Sequence, residues 1–249
     1  MKGKLFFALL GAIVLFVAGC GRGPATDYED VSGDTWMEYT VLPSQSWRSI
    51  SEDFFGEGDN AARIATDNGA ELSTPPREGQ KLKIRIRHDE LDQVRRLAAA
   101  REPYNAGVAY HEAQDYENAV KAFREALRRA PEFVDARYNL GLALLKLGRP
   151  AEAAKELQPV VLARPGDKDA HYGLASAYFH QGAYPQAAEE LREALRLDEN
   201  FLRARFTLAL ALERMGDSEG ARKAWQSYLR LDSSSAWAKE AKTHLETLP

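Results

Sequence analysis

The chain has 249 residues, 45% of them apolar and 28% charged, with 18 Gly, 11 Pro and one Cys, a composition that excludes collagen-like and compositionally disordered chains. A lone cysteine excludes an internal disulfide and any C-x-x-C metal or redox motif. The net charge of −4 runs against nucleic acid as a partner, because neutralising phosphates takes an excess of clustered Lys and Arg.

Met1–Lys4 carries two lysines, Leu5–Ala18 carries no charge, and Gly19 and Cys20 follow. This is the order of a positive n-region, an apolar h-region and a small-residue cleavage site, and residues 1–19 read as a signal peptide. The 14-residue apolar run reaches about 21 Å as a helix, short of the roughly 30 Å hydrocarbon core. Val17-Ala18-Gly19-Cys20 resembles the bacterial lipobox. The resemblance implies cleavage before Cys20, diacylglycerol on its sulfur and acylation of the new amino terminus, a membrane anchor that holds at about 0.8 kcal/mol per buried CH₂. With Gly21 in place of an aspartate it also implies the outer membrane, facing the periplasm. Without Lys2 and Lys4 the processed chain has 31 basic and 37 acidic residues, a net −6. Residues 20–36 lack a hydrophobic period and read as the lipidated terminus and a flexible tether, spanning roughly 22 Å.

Met37–Val41 reads as a strand, and Leu82, Ile84 and Ile86 alternate with Lys81, Lys83, Arg85 and Arg87 as a second, half-buried one. Two helices are predicted between them. The first runs from Ser46, an N-cap, to Phe55, with Trp47, Ile50, Phe54 and Phe55 inward; the second runs from about Asn60 to Asn68 and buries Ala62, Ile64 and Ala65. This small α+β order, βααβ over residues 37–87, with Tyr39-Thr40-Val41, Trp47-Arg48-Ser49-Ile50, Asn68 and Gly79-Gln80-Lys81-Leu82, resembles a LysM domain. The resemblance implies binding of N-acetylglucosamine-containing glycan, in bacteria peptidoglycan, between two loops: Pro43, Ser44, Gln45, Ser46 and Trp47 on one side, and Ala70, Glu71, Leu72, Ser73 and Thr74 on the other. Trp47 or Leu72 would supply the apolar contact. Ser44 stands where that family favours glycine, and Glu78 where it favours proline.

Residues 88–99 read as a connecting helix, and beyond them the chain repeats with a period of 34 residues. Tyr104, Tyr138, Tyr172 and Phe206 share one register; Gly107, Gly141, Ala175 and Ala209 another; Ala119, Ala153, Ala187 and Ala221 a third; Phe123, Leu157, Leu191 and Trp225 a fourth. Each unit breaks once, at Gln114-Asp115, Gly148, Gly182 and Gly216, which predicts helical hairpins over 100–235 and a capping helix over 236–249. Pro159, well inside its helix, predicts a lost donor and a kink. The pattern resembles the tetratricopeptide repeat, an all-α solenoid. The resemblance implies a concave face for a peptide from an unidentified partner. Tyr104, Tyr138, Tyr172 and Phe206 would form its floor, Val108, Leu142 and Leu210 lie beside it, and Lys146, His180 and Arg214 make a basic edge. A competing reading has the aromatics only padding contacts between hairpins.

None of the five histidines stands at H-x-x-x-H or H-E-x-x-H spacing, and no phosphate loop or G-x-S-x-G elbow occurs. The expectation is a chain without catalytic residues, metal or cofactor. As a whole it reads as a membrane-anchored envelope adaptor that binds peptidoglycan and recruits a protein. The alternative is an assembly or pilotin-like lipoprotein of a pilus or secretion system, with incidental glycan contact.

Overall fold

A computed structural model describes residues 34–56 and 58–249. The signal peptide, the lipobox with Cys20, and the tether up to residue 33 lie outside the described residues. The chain divides into two compact units, one holding residues up to Asn105 together with Glu125–Phe133, the other holding Ala106–Arg124 and Val134–Pro249.

In the first unit β1 (Thr35–Thr40) pairs antiparallel with β2 (Lys81–Ile86), with Met37 opposite Ile84 and Tyr39 opposite Leu82. Between them come α1 (Trp47–Phe55) and α2 (Ala61–Asp67). The alternation along β2 works as the sequence suggests: Leu82, Ile84 and Ile86 are buried, and Lys81 and Lys83 are exposed. In α1, Ser46 accepts from the Ser49 N–H at 3.1 Å while the Ser49 hydroxyl accepts from the Ser46 N–H at 2.9 Å, a reciprocal cap that satisfies two orphan donors. The apolar face of α2 differs from expectation. The helix starts at Ala61, so the i, i+3, i+4 stripe is Ala61, Ile64 and Ala65, and Ala62 is exposed.

Asn68, which ends α2, doubles as a rung of the sheet. Its Nδ2 donates to the Lys83 carbonyl and its Oδ1 accepts from the Lys83 N–H, each at 2.8 Å. This pairs one residue of β2 on the side where no strand lies.

The hydrophobic core of this unit does not stop at residue 87. A 3-10 turn (His88–Glu90) leads into α3 (Leu91–Glu112), one helix through the expected junction at residues 99 and 100. Val94 and partly buried Leu91 join the cluster of Trp47, Ile50, Phe54, Ile64 and Ile84, and Leu97 lies against Gly56, whose φ is +77°. Polar ties run the same way. Gln93 Nε2 donates to the Phe55 carbonyl at 2.6 Å, and Arg101 Nη2 donates to the Asp53 carbonyl at 2.6 Å and to its Oδ1 at 3.0 Å.

The second unit takes in the end of α3, then α4 (Tyr116–Arg129), α5 (Val134–Lys146), α6 (Pro150–Ala163), α7 (Lys168–His180), α8 (Tyr184–Leu197), α9 (Leu202–Arg214), α10 (Ser218–Leu231) and α11 (Ala236–Thr247). The end of α4 from Glu125, with the following residues up to Phe133, belongs to the first unit. The hairpin turns repeat one geometry. The N–H groups of Asp115, Arg149 and Ala183 donate at 2.9 Å, and that of Asp217 at 3.0 Å, to the carbonyls of Tyr110, Leu144, Tyr178 and Leu212, closing each helix with the 6→1 bond of a Schellman motif. The residue before each donor is left-handed: Gln114 (φ 60°), Gly148 (67°), Gly182 (78°) and Gly216 (78°).

Small-against-large packing joins the two helices of a hairpin. A Cβ on Gly107 would come 2.6 Å from the Phe123 ring, and one on Gly141 2.5 Å from Leu157 Cγ. Ala119, Ala153, Ala187 and Ala221 are all fully buried. Pro159 is exposed, and α6 continues as a helix through it to Ala163. No described helix is long and apolar enough to cross a membrane.

Candidate functional site

In the first unit a cleft of about 330 Å³ is lined by Ser46, Trp47, Arg48, Gly58, Ala61, Leu72, Ser73 and Pro75. Four of the ten residues expected there, Ser46, Trp47, Leu72 and Ser73, line it. Pro43 and Ser44 are exposed in the loop after β1, and Glu71 and Thr74 in the loop before β2, without lining the cleft. Ser44 has φ 65°, a backbone that glycine would adopt without strain. Half-buried Ala70 donates its N–H to the Ala65 carbonyl at 2.9 Å and so ends α2.

Two of the expected sugar contacts are framework instead. Trp47 is only 3% exposed, and its Nε1 donates to the Thr74 carbonyl at 2.7 Å, so the indole fastens the two loops together and offers the cleft little more than an edge. Gln45 is spent on internal bonds. Its Oε1 accepts from the Tyr39 hydroxyl at 2.7 Å and the Leu42 N–H at 2.9 Å, while Nε2 donates to Asp53 Oδ2 at 2.8 Å. Because Asp53 is held in turn by Arg101, a continuous polar chain runs from the loop after β1 into α3. Leu72, 55% exposed, is the apolar group free to meet a ligand. Arg48, Gly58, Ala61 and Pro75 were not foreseen as lining. A helix beginning at Trp47 places Arg48 on the same first turn, but the 58–61 approach depends on the tertiary fold.

A bidentate ion pair lies in this unit as well. Arg63 Nη1 and Nη2 donate to the two Glu90 oxygens at 2.7 and 2.8 Å, and Arg87 Nε donates to Oε1 at 3.0 Å. Burial by itself would raise the Glu90 carboxyl, but the bonds from Arg63 and the Arg87 backbone, with both guanidinium charges, outweigh it and hold the group below its ordinary value.

The residues expected to line a peptide face are divided by their surroundings. Tyr104, in the first unit, packs against Phe133 at 4.7 Å. In the second unit Tyr138 and Tyr172 are half-buried, as are Val108, Leu142 and Leu210. Burial first, and then the negative charges of Asp169 and Asp167, push the Tyr138 hydroxyl up to about 12, with Arg203 offsetting part, so it stays a neutral donor. Arg203 lies over the rings of Tyr172 and Phe201 at 5.2 and 5.3 Å. Lys146, His180 and Arg214 are exposed in the last turns of α5, α7 and α9, where a cation also complements the helix dipole.

Phe206 corrects the expectation. It is 4% exposed and enclosed edge-on by Trp225 at 4.7 Å, Tyr228 at 5.4 Å and Trp237 at 4.7 Å, so it is core. The aromatic left accessible there is Trp237, 48% exposed. It lies in the first turn of α11, the helix that the sequence reads as packing back on the last repeat through Trp237, Ala241 and Leu245. Among the described residues no group of three or more His, Cys, Asp or Glu gathers as a metal site would require.

Residues 110–178 match a family model described as tetratricopeptide repeat, residues 175–216 one described as TPR repeat, and residues 203–235 a further tetratricopeptide-repeat model. No curated protein matches the chain at a significant level. Among solved structures, MamA (41-end) from Desulfovibrio magneticus RS-1 is 28% identical with a TM-score of 0.53, over 55% of this chain and 77% of that one. YrrB, a TPR protein with an unusual peptide-binding site, is 24% identical with a TM-score of 0.56, over 62% and 79%. A tetratricopeptide repeat protein from Parabacteroides merdae ATCC 43184 is 17% identical with a TM-score of 0.54, over 60% and 59%. The 34-residue period, the repeated turn and these matches agree: residues 110–235 of the chain are tetratricopeptide repeats.

Proposed function

We propose that the chain is a lipid-anchored adaptor of the bacterial cell envelope. In this reading acyl chains on Cys20 hold it to the membrane, most simply the outer membrane facing the periplasm. Residues 37–87 form a LysM-type module that binds peptidoglycan glycan, and the repeats receive a peptide of another protein. The chain works by binding, not catalysis.

The observation that carries the glycan part is the cleft itself. It opens where the β1–α1 and α2–β2 loops approach, with two hydroxyls and an exposed leucine around a rigid, indole-fastened wall. An N-acetyl sugar offers an amide, a carbonyl and a methyl group to match. Each neutral hydrogen bond contributes only about 0.5–1.5 kcal/mol, so a single module binds weakly and gains from being held beside a polymer of repeated sites. The peptide part is supported by Tyr138 and Tyr172 in one register of the repeats and Leu142 and Leu210 in the register four residues on, all half-exposed, with Trp237 at the far end.

Co-sedimentation of the full chain with purified sacculi tests the module. The expected result is pelleting that falls sharply in a Leu72→Asp, Ser73→Glu double variant, and equal pelleting of the two proteins removes the cleft from the reading. If the glycan contact were incidental to an assembly factor, that variant would keep its cellular function. Anchoring is read separately: Cys20→Ser should leave the membrane fraction.

A further inference from the structure

Resting on the glycan reading of the cleft, we propose that it prefers glycan bearing carboxylates, those of the stem peptides of peptidoglycan, over neutral N-acetylglucosamine oligomers, and that Arg48 makes the distinction. Of the described residues lining the cleft, Arg48 is the one whose side chain carries a formal charge. It is 66% exposed and forms an i, i+4 pair with Glu52 through Nε at 3.0 Å. That bond fixes one edge of the guanidinium plane. Nη1 and Nη2, on the other edge, make no bond among the described residues, and two parallel N–H groups there match the two oxygens of a carboxylate.

Gly58 places the group. A Cβ at that position would stand 2.7 Å from Arg48 Cγ and 2.9 Å from Nε, so the absence of a side chain lets the arginine stem lie along the cleft wall. The result is an apolar contact, Leu72, and two hydroxyls, Ser46 and Ser73, at one mouth with a planar cation. A chitin-type oligomer uses the first three and leaves Arg48 hydrated. A muropeptide uses the cation as well. Glu71 stands on the opposite loop, where it accepts from the Ser73 hydroxyl at 3.3 Å, and it does not line the cleft.

The test titrates the full chain with three probes: N-acetylglucosamine tetraose, disaccharide-peptides with free stem carboxylates, and the same disaccharide-peptides amidated. Since an exposed charge pair contributes modestly, the free-acid probe should bind about two- to fivefold more tightly than the other two. The gap should close as salt is raised, since the pair is screened. In Arg48→Gln the ratio should fall to about one, and Arg48→Lys, charged but without the planar fork, should restore part of it. A wild-type chain that binds all three probes alike, or an Arg48→Gln variant that keeps the ratio, overturns the proposal while leaving the glycan reading standing. A chain that binds none of them overturns both.

Discussion

Gln114 is held at φ 60° at the turn position that glycine occupies in the three later hairpins. A side chain with a Cβ is strained there by about 1 kcal/mol or more, and glycine is not. Gln114→Gly should therefore stabilise the chain by about 0.5–1 kcal/mol, read as a higher urea midpoint at unchanged slope, and Gly148→Gln should do the reverse. Glu90 makes a pH prediction. Its carboxyl is depressed by Arg63 and Arg87, so its contribution is present above the ordinary carboxylate value near 4.3 and is lost as pH falls through the lower folded value. Thermal melts from pH 6 to pH 2 should show a steeper acid loss for the native chain than for Glu90→Gln. The variant is also less stable at pH 6, because half-buried Arg63 is left with a weakened partner.

At the scale of elements, the hairpins depend on which glycines are crowded. Gly141 has Leu157 Cγ only 2.5 Å from where a Cβ would stand, whereas at Gly173 the nearest atoms, on Leu157 and Tyr138, are 3.6 Å away. Gly141→Ala should destabilise by about 1–3 kcal/mol through overpacking. Gly173→Ala should be neutral or stabilising by up to about 1 kcal/mol, since it gains helix propensity at no steric cost. Guanidine melts of the two variants check the contrast. The hairpins were legible in the sequence because their signals are local and repeated: a left-handed turn residue, a small residue and a large one at fixed offsets. Phe206 departs from the expectation because its register is shared with half-buried tyrosines. Trp225 and Tyr228 of its own hairpin and Trp237 of the helix that ends the array bury it together.

For the molecule as a whole, strand order and the inward faces of β2 and α1 followed from alternation and helical period, while the extent of the first unit did not. Nothing in residues 88–101 announces that Val94 and Leu97 face the small module rather than a neighbouring hairpin, because a helical stripe shows that a face is buried and not what covers it. A fragment beginning at residue 88 should accordingly bare Val94 and Leu97 and bind more of a hydrophobic dye than the full chain does. For this reason point changes in the cleft are a cleaner probe than removal of 37–87. The bond sequence Tyr39–Gln45–Asp53–Arg101 carries the same lesson into protein engineering. Spliced onto a foreign carrier, residues 37–87 would arrive without the guanidinium that steadies their first loop, so they are no portable cassette; a graft would have to travel with its adjoining helix at least as far as Arg101.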